Sequence, residues 1–416
     1  MERVLRIERL IHGGDGLARI DGQVVFVPLV AAGDLVRVRV PDVMRGTPRA
    51  ELVEVLEPGP TRVVPPCPLV GRCGGCDRQQ VSLDGQLEAK RDAVADSLTR
   101  IGGLGTDSLR PLVPSPKPFR YRRRMRAHLA GDGWGFRERA GHRVARAETC
   151  LLIEEEVERF ANALAPAMKR VGLHVESFSL DAESGRAAAH LELLQKPDRA
   201  AQATAAKLLS LVPGLRGVVL SGAGGAPAMV GDPVLIDQEH HRLRVRPDLF
   251  TQANRQGARL LSEHVAATIE PGSAVLELFA GTGTLSLAIA ERTGTLIATE
   301  GAVASLNLLR TALAEGQREA RLIGGPAPRV SEQLLAEGTP VDHVVLDPPR
   351  AGAKEALAAI AKLKPRRITY VSCDPATFAR DAGTLTRAGF ALAESTPYDL
   401  FPQTHHVEVV AVFERA

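Results

Sequence analysis

The stretch Ala274-Val275-Leu276-Glu277-Leu278-Phe279-Ala280-Gly281-Thr282-Gly283-Thr284-Leu285 reads as an apolar strand that runs into a glycine-bearing turn and then an Ala/Leu-rich helix. From Phe250 onward the alternation continues, with apolar strands expected at Thr295 to Thr299, His343 to Leu346 and Ile368 to Ser372. Strands alternating with helices predict a doubly wound α/β domain, whose ligands gather at the carboxyl ends of the strands. Gly281 and Gly283 let the turn bring its backbone close to a ligand. A GxG alone is weak, and Ser286 stands where the dinucleotide fingerprint wants its third glycine. Neither a Walker lysine nor a phosphate cradle is present. Glu300 closes the next strand about twenty residues on, where a carboxylate can accept both hydroxyls of a ribose. An adenosine cofactor without phosphates fits better than NAD, and S-adenosylmethionine is the candidate. The plain alternative is a structural βαβ turn.

Two further strand ends carry chemistry. Val344-Val345-Leu346 is followed by Asp347-Pro348-Pro349-Arg350, and two prolines stop both strand and helix, which leaves Asp347 at the edge facing the crevice. In Ile368-Thr369-Tyr370-Val371-Ser372-Cys373-Asp374-Pro375, Asp374 reads as an N-cap and Pro375 as a first helical residue. Cys373 is thus expected beside a helix N-terminus, which lowers a thiol's pKa, although a buried inert cysteine is the simpler reading. A thiolate suits addition to carbon 6 of a pyrimidine, which makes carbon 5 nucleophilic, and a base must then remove the hydrogen left on carbon 5. Glu408 is a candidate base. It reads equally as a surface acid on the last strand, with His405 and His406 as competitors.

Cys67, Cys73 and Cys76 are spaced C-x5-C-x2-C, and Cys150 lies downstream. Four thiolates suit structural zinc or an iron-sulfur cluster, and the glycines around Cys73 and Cys76 mildly favour the cluster. The chain holds five cysteines among 416 residues, is 44% hydrophobic and 24% charged, and begins with no signal-peptide pattern and no membrane-length apolar run. It reads as a cytoplasmic protein of two or three domains, without a disulfide framework. Its net charge is only +3, yet residues 115–147 carry ten Lys or Arg against two acids, the footprint expected for phosphate contact. Alternation predicts Arg122, Arg124 and Arg126 on one face of a strand, where they grip phosphates or simply form a solvated basic face. Residues 1–58 read as short strands and turns. A small barrel of the OB type, an RNA binder or a plain structural β domain, is the container expected.

Taken together these residues resemble the RNA 5-methyluridine (uracil-C5) methyltransferase family, in its form with an N-terminal TRAM domain and a [4Fe-4S] cluster. The likeness covers nearly the whole chain. It implies an OB-like TRAM barrel over 1–58, a central α+β domain over 59–249 with the iron-sulfur site, and a Rossmann-like class I methyltransferase domain over 250–416. The resemblance implies that Cys67, Cys73, Cys76 and Cys150 hold the cluster. It matches Gln252, within Phe250-Thr251-Gln252-Ala253-Asn254, and Phe279, Thr284, Glu300 and Asp347 to cofactor positions, with Thr284 replacing a common Asn. Ser372-Cys373-Asp374-Pro375 is similar to the nucleophile motif, and Phe401 to Glu408 to the terminal base motif, which supports Glu408. Arg120, beginning Arg120-Tyr121-Arg122-Arg123-Arg124-Met125-Arg126, falls in a segment similar to one with Tyr-Arg.

The chain departs from the family at Leu322-Ile323-Gly324-Gly325-Pro326, where an Asp or Asn usually lies near the adenine. The implied partner is structured RNA with a flipped or looped-out uridine, ribosomal RNA favoured over transfer RNA, and a monomer suffices. The rivals are an RNA amino-group methyltransferase built on Asp347-Pro348-Pro349 and a non-catalytic RNA-binding or assembly protein.

Overall fold

In the C-terminal sheet the strands run, in spatial order, Arg321–Gly324, Thr295–Glu300, Ala274–Leu278, His343–Leu346, Arg367–Ser372, Glu408–Arg415 and Phe390–Tyr398. The structure, a computed structural model, describes residues 1–41, 47–139 and 141–415. The first five strands pair in parallel and the last two are antiparallel, with Glu408–Arg415 inserted between Arg367–Ser372 and the edge strand. The strands expected from the apolar runs are present within one residue at either end. The parallel strands are buried almost throughout, because helices cover both faces, and continuous apolar runs follow from that. Reversal of strand order between Ala274–Leu278 and His343–Leu346 opens a crevice at their carboxyl ends.

This unit is larger than the run from Phe250. The helix Leu83–Ser97, capped by the Ser82 hydroxyl accepting from the Gly85 amide, sends Val94 into the same core, and Leu98 just past its end follows. Leu109 and Val113 then bridge to Ser395 and Tyr398 at the sheet edge. Lys90, buried, donates to Asp399 at 2.5 Å and to the Phe401 carbonyl at 3.0 Å.

The middle of the chain forms a second seven-stranded sheet centred on Val175–Glu183 and Arg186–Leu193, with the helices Glu155–Arg170 and Arg199–Leu211 packed through Phe160, Leu164 and Leu208. The N-terminal part is two three-stranded sheets over one core of Leu5, Ile7, Val25, Val27, Val36 and Val38. The single strand expected from Val4 to Leu10 divides into Glu2–Arg6 and Arg9–Leu10. The chain changes sheets there, the Ile7 amide reaching Asp34 and the Glu8 amide reaching Leu17. Asp21 and Gly22 both take positive φ, 50° and 84°, as a tight hairpin turn requires.

Candidate active site

The turn after Ala274–Leu278 is shaped by backbone conformation. Phe279 and Gly281 take φ of 64° and 56°, and a side chain built at Gly281 would meet open space. Gly283 is different: its φ is 105°, and a Cβ there would press within 2.7 Å of Leu309. Glu300 pins the turn, one carboxylate oxygen accepting from the Gly281 amide at 2.9 Å and the other from Ala302 at 2.7 Å. Each oxygen keeps a lone pair for a further donor. Beneath lie Gln252, 7% exposed, and Thr284, whose carbonyl faces His240 Nε2 at 2.9 Å. Among the described residues the buried Glu277 Oε2 and Thr282 hydroxyl have no hydrogen-bond partner, with Ser286 on the other side of the Glu277 carboxyl. Burial pushes the Glu277 carboxyl up to about 8. At the expected adenine edge, Gly325 donates to the Glu300 carbonyl at 3.1 Å, so Gly324 and Gly325 offer backbone rather than a side-chain carboxyl or amide.

Register then brings the reactive groups together. Leu278 pairs with Leu346, which sets Asp347 beside the turn. Ser372 pairs with Val409, so the next residues, Cys373 and Glu408, lie alongside one another at the mouth of the crevice. Glu408 is 2% exposed, and among the described residues its Oε2 has no hydrogen-bond partner. Burial holds its carboxyl well above the usual range, with Asp347 adding to the effect and Arg350 opposing it. Burial likewise pushes Asp347 up to about 7. Asp374 caps the helix Pro375–Arg387 by accepting from the Thr377 amide at 2.8 Å. The Cys373 thiol is nevertheless pushed up to about 11, by burial and then by the neighbouring Glu408 and Asp347. The depressed thiol expected from the helix terminus is therefore corrected: burial first, and the neighbouring acids after it, raise the thiol.

A thiol, a buried carboxyl and a glycine turn pinned by Glu300 at one crevice suit methyl transfer to a pyrimidine, and similarity to known proteins agrees. The family described as tRNA (Uracil-5-)-methyltransferase matches residues 331–416, and the TRAM domain matches residues 2–53. The 23S rRNA (uracil(1939)-C(5))-methyltransferase RlmD of Alkalilimnicola ehrlichii is 33% identical, covering 99% of this chain and 96% of that protein. The chain belongs to the RNA (uracil-C5)-methyltransferase family. It is an S-adenosylmethionine-dependent enzyme with the class I methyltransferase fold and an N-terminal TRAM domain. The RlmD of Shewanella amazonensis is 31% identical over 99% of this chain and 95% of its own. The tRNA (uracil-54, C5)-methyltransferase of Pyrococcus abyssi, solved with S-adenosyl-L-homocysteine, shares the fold at a TM-score of 0.75 and 23% identity, over 99% of this chain and all of that one.

A second constellation of the methyltransferase lies in its middle region. Cys67, Cys73, Cys76 and Cys150 line one cavity of about 170 Å³ with an apolar wall that includes Leu69, Met125 and Leu152. The Gly75 amide donates to Cys73 Sγ at 3.4 Å and Gln79 to Cys76 Sγ at 3.1 Å. Among the described residues no group of three or more His, Cys, Asp or Glu is disposed to hold a metal ion.

The arginines expected on one phosphate-gripping face are arranged otherwise. The strand starts at Arg124, so Arg122 is outside it; its guanidinium lies over the Phe401 ring at 5.6 Å and borders the cysteine cavity. Arg120 pairs with Glu158 at 2.9 Å, Arg124 with Asp181 at 2.7 Å and Arg126 with Glu192 at 2.5 Å, carboxylates supplied by the adjoining helix and strands. Only Arg126 of these keeps most of its side chain in solvent, at 65%. Glu277 and Arg350 join the site without a role expected from the sequence. Glu277 was visible as an acid inside an apolar strand; Arg350 carried no signal beyond following two prolines.

No helix among the described residues is long and apolar enough to cross a membrane.

Proposed function

We propose that this methyltransferase modifies one uridine of large-subunit ribosomal RNA, with Cys373 as the nucleophile and Glu408 as the base. The observation that carries the reading is the crowding of Cys373, Glu408 and Asp347 beside the Gly281 turn, a thiol next to a buried carboxyl without a partner. Once its proton has passed to solvent, the Cys373 thiolate forms a bond from Sγ to C6, and the C5–C6 π electrons move to O4 as an enolate. When bound, S-adenosylmethionine would supply an electrophilic methyl to C5, its S–CH3 bond breaking to leave a neutral thioether, and until then, as a sulfonium, a positive charge in the cleft. Glu408 then takes the C5 proton; the electrons restore the C5–C6 double bond and expel the thiolate. A carboxyl held well above its usual range is a strong base once ionised, which suits proton removal from carbon.

Gln252, Phe279, Gly281, Thr284, Glu300 and Asp347 are assigned to the cofactor. The open space at Gly281 and the orphaned oxygens of Glu277 and Thr282 fit a polar ligand there. We assign a [4Fe-4S] cluster to Cys67, Cys73, Cys76 and Cys150, supported by four thiols around one cavity with amide donors at two sulfurs. The TRAM domain and Arg126 are assigned to RNA, with the other arginines holding the middle sheet in shape. The enzyme acts as a monomer in the cytoplasm.

Protein incubated with methyl-labelled S-adenosylmethionine and total RNA from cells lacking it should place label in 5-methyluridine of large-subunit RNA. Label confined to transfer RNA would reassign the substrate, and undiminished labelling by Cys373→Ala would remove the nucleophile. Purified protein should be brown; colourless anaerobic protein with stoichiometric zinc would remove the cluster.

A further inference from the structure

Between the Arg9–Leu10 and Gly16–Ile20 strands the N-terminal domain extends the loop Ile11-His12-Gly13-Gly14-Asp15 towards the catalytic crevice. Both neighbours of this loop clamp it. Arg78, buried, donates to the Ile11 carbonyl at 2.8 Å, while Asp77 and Arg78 donate their amides to the Gln403 carbonyl at 3.2 and 3.1 Å. Gly14 takes a φ of 94° and packs so tightly that a Cβ would meet the Asp77 carboxyl at 2.7 Å. At the loop's tip, His12 Nε2 lies 3.3 Å from Asp374 Oδ2, and its ring meets the His405 ring edge-on at 5.5 Å. His405 is held in turn by Asp77 at 2.5 Å.

Asp374 is the residue after Cys373, and its two carboxylate oxygens do different work. Oδ1 caps the helix Pro375–Arg387 through the Thr377 amide, and Oδ2 faces His12. The loop bearing the thiol is therefore held from one side by its own helix and from the other by a different domain, 362 residues away in sequence. We propose that His12 is a positioning residue of the catalytic centre, fixing Asp374 so that the TRAM domain contributes directly to the placement of the Cys373 thiol. The proposal rests on the reading of Cys373 as nucleophile. It gives the TRAM domain a second role beside RNA contact: an undocked domain would leave the nucleophile loop tethered at one end only. A shift of an ångström in a reacting group can cost about a hundredfold in rate, so loss of this tether should be felt in the chemical step.

The test compares full-length His12→Ala and His12→Gln with wild type. The amide introduced by His12→Gln carries a donor that reaches the place of Nε2. The readouts are kcat, KM for RNA, the rate at which iodoacetamide alkylates Cys373, and adduct formation with RNA bearing 5-fluorouridine, whose C5–F bond blocks release. His12→Ala should lower kcat by about tenfold or more, change the alkylation rate of Cys373, and leave KM for RNA within about twofold. His12→Gln should recover most of kcat. Unchanged kcat and alkylation in His12→Ala, or a rise in KM alone, would overturn the proposal, the latter by making His12 an RNA contact. A loss that His12→Gln fails to rescue would overturn it too. Failure of the underlying reading looks different: Cys373→Ala would then still turn over or still form the 5-fluorouridine adduct.

Discussion

Two buried groups of charge sit within the same molecule and are built on opposite plans. At the junction of the middle sheet with the cofactor segment, Arg123 and Asp237, each 1% exposed, form an ion pair. Arg255 joins Glu183 and lies 3.6 Å from both Asp237 and Glu154. Every cation there faces carboxylates. At the crevice, Glu277, Asp347, Cys373 and Glu408 are all groups that become anions, and Arg350 is the cation that opposes their crowding. The paired group holds backbone, the Arg123 amide donating to the Ala253 carbonyl at 2.9 Å beside Gln252. The unpaired group keeps its protons until something positive or reactive arrives. Buried charge with partners is scaffold, and buried acid without partners is stored reactivity.

The largest expected effect falls on the unpaired group. Glu408→Gln should slow 5-methyluridine formation by about 10²–10⁴-fold. Because the amide in that variant cannot take the C5 proton, a covalent RNA–protein species should accumulate on denaturing gels. Turnover near the wild-type rate would make Glu408 a bystander. The paired group should respond in stability. Asp237→Ala leaves Glu183, at 3.7 Å, as the nearest carboxylate to Arg123 among the described residues and should destabilise the fold by about 3–5 kcal/mol in urea titration. A loss confined to activity, with stability intact, would erase the distinction between the two plans.

Glu277 tests the distinction through pH. Its carboxyl is raised from an ordinary 4.5 to about 8, so the folded chain binds this proton more tightly than the unfolded chain does. The associated stability is fully present below pH 4.5, is lost as pH rises towards 8, and changes no further above that. Glu277→Gln should flatten that part of the melting profile and raise stability at pH 8 by a few kcal/mol, on the order of the linkage energy. A variant less stable than wild type at pH 8 would mean that the carboxylate has a partner in solution.

The division between what was readable and what was not follows contact distance along the chain. The parallel strands announce themselves because strands covered on both faces must be apolar throughout, and Asp374-Pro375 announces a helix start because capping is local. The thiol's direction differs because burial, and after it Glu408 across an antiparallel ladder and Asp347 on another strand, raise it, and local reasoning about a helix end omits all three. Helix Leu83–Ser97, expected within the central domain of 59–249, packs on the C-terminal sheet for the same reason: Lys90 finds Asp399 across 309 residues. The arginine run reads as free because Asp181 on the neighbouring strand and Glu192 on the strand beyond it come alongside only in the folded sheet.

The arginines also supply the smallest test. Arg126 is paired like a scaffold residue yet exposed like a ligand-binding one, and Glu192 is itself 36% exposed. An exposed pair of this kind contributes only about 0–1 kcal/mol, so a phosphate can displace Glu192 at little cost. If Arg126 reaches RNA, Arg126→Ala should leave stability unchanged, weaken RNA binding modestly, and reduce the slope of log affinity against log salt by about one. Arg124→Ala, by contrast, strips Asp181 of its partner in a largely buried place and should lower stability without changing that slope. An unchanged slope for Arg126→Ala would put Arg126 with the scaffold and leave the TRAM domain as the source of phosphate contact.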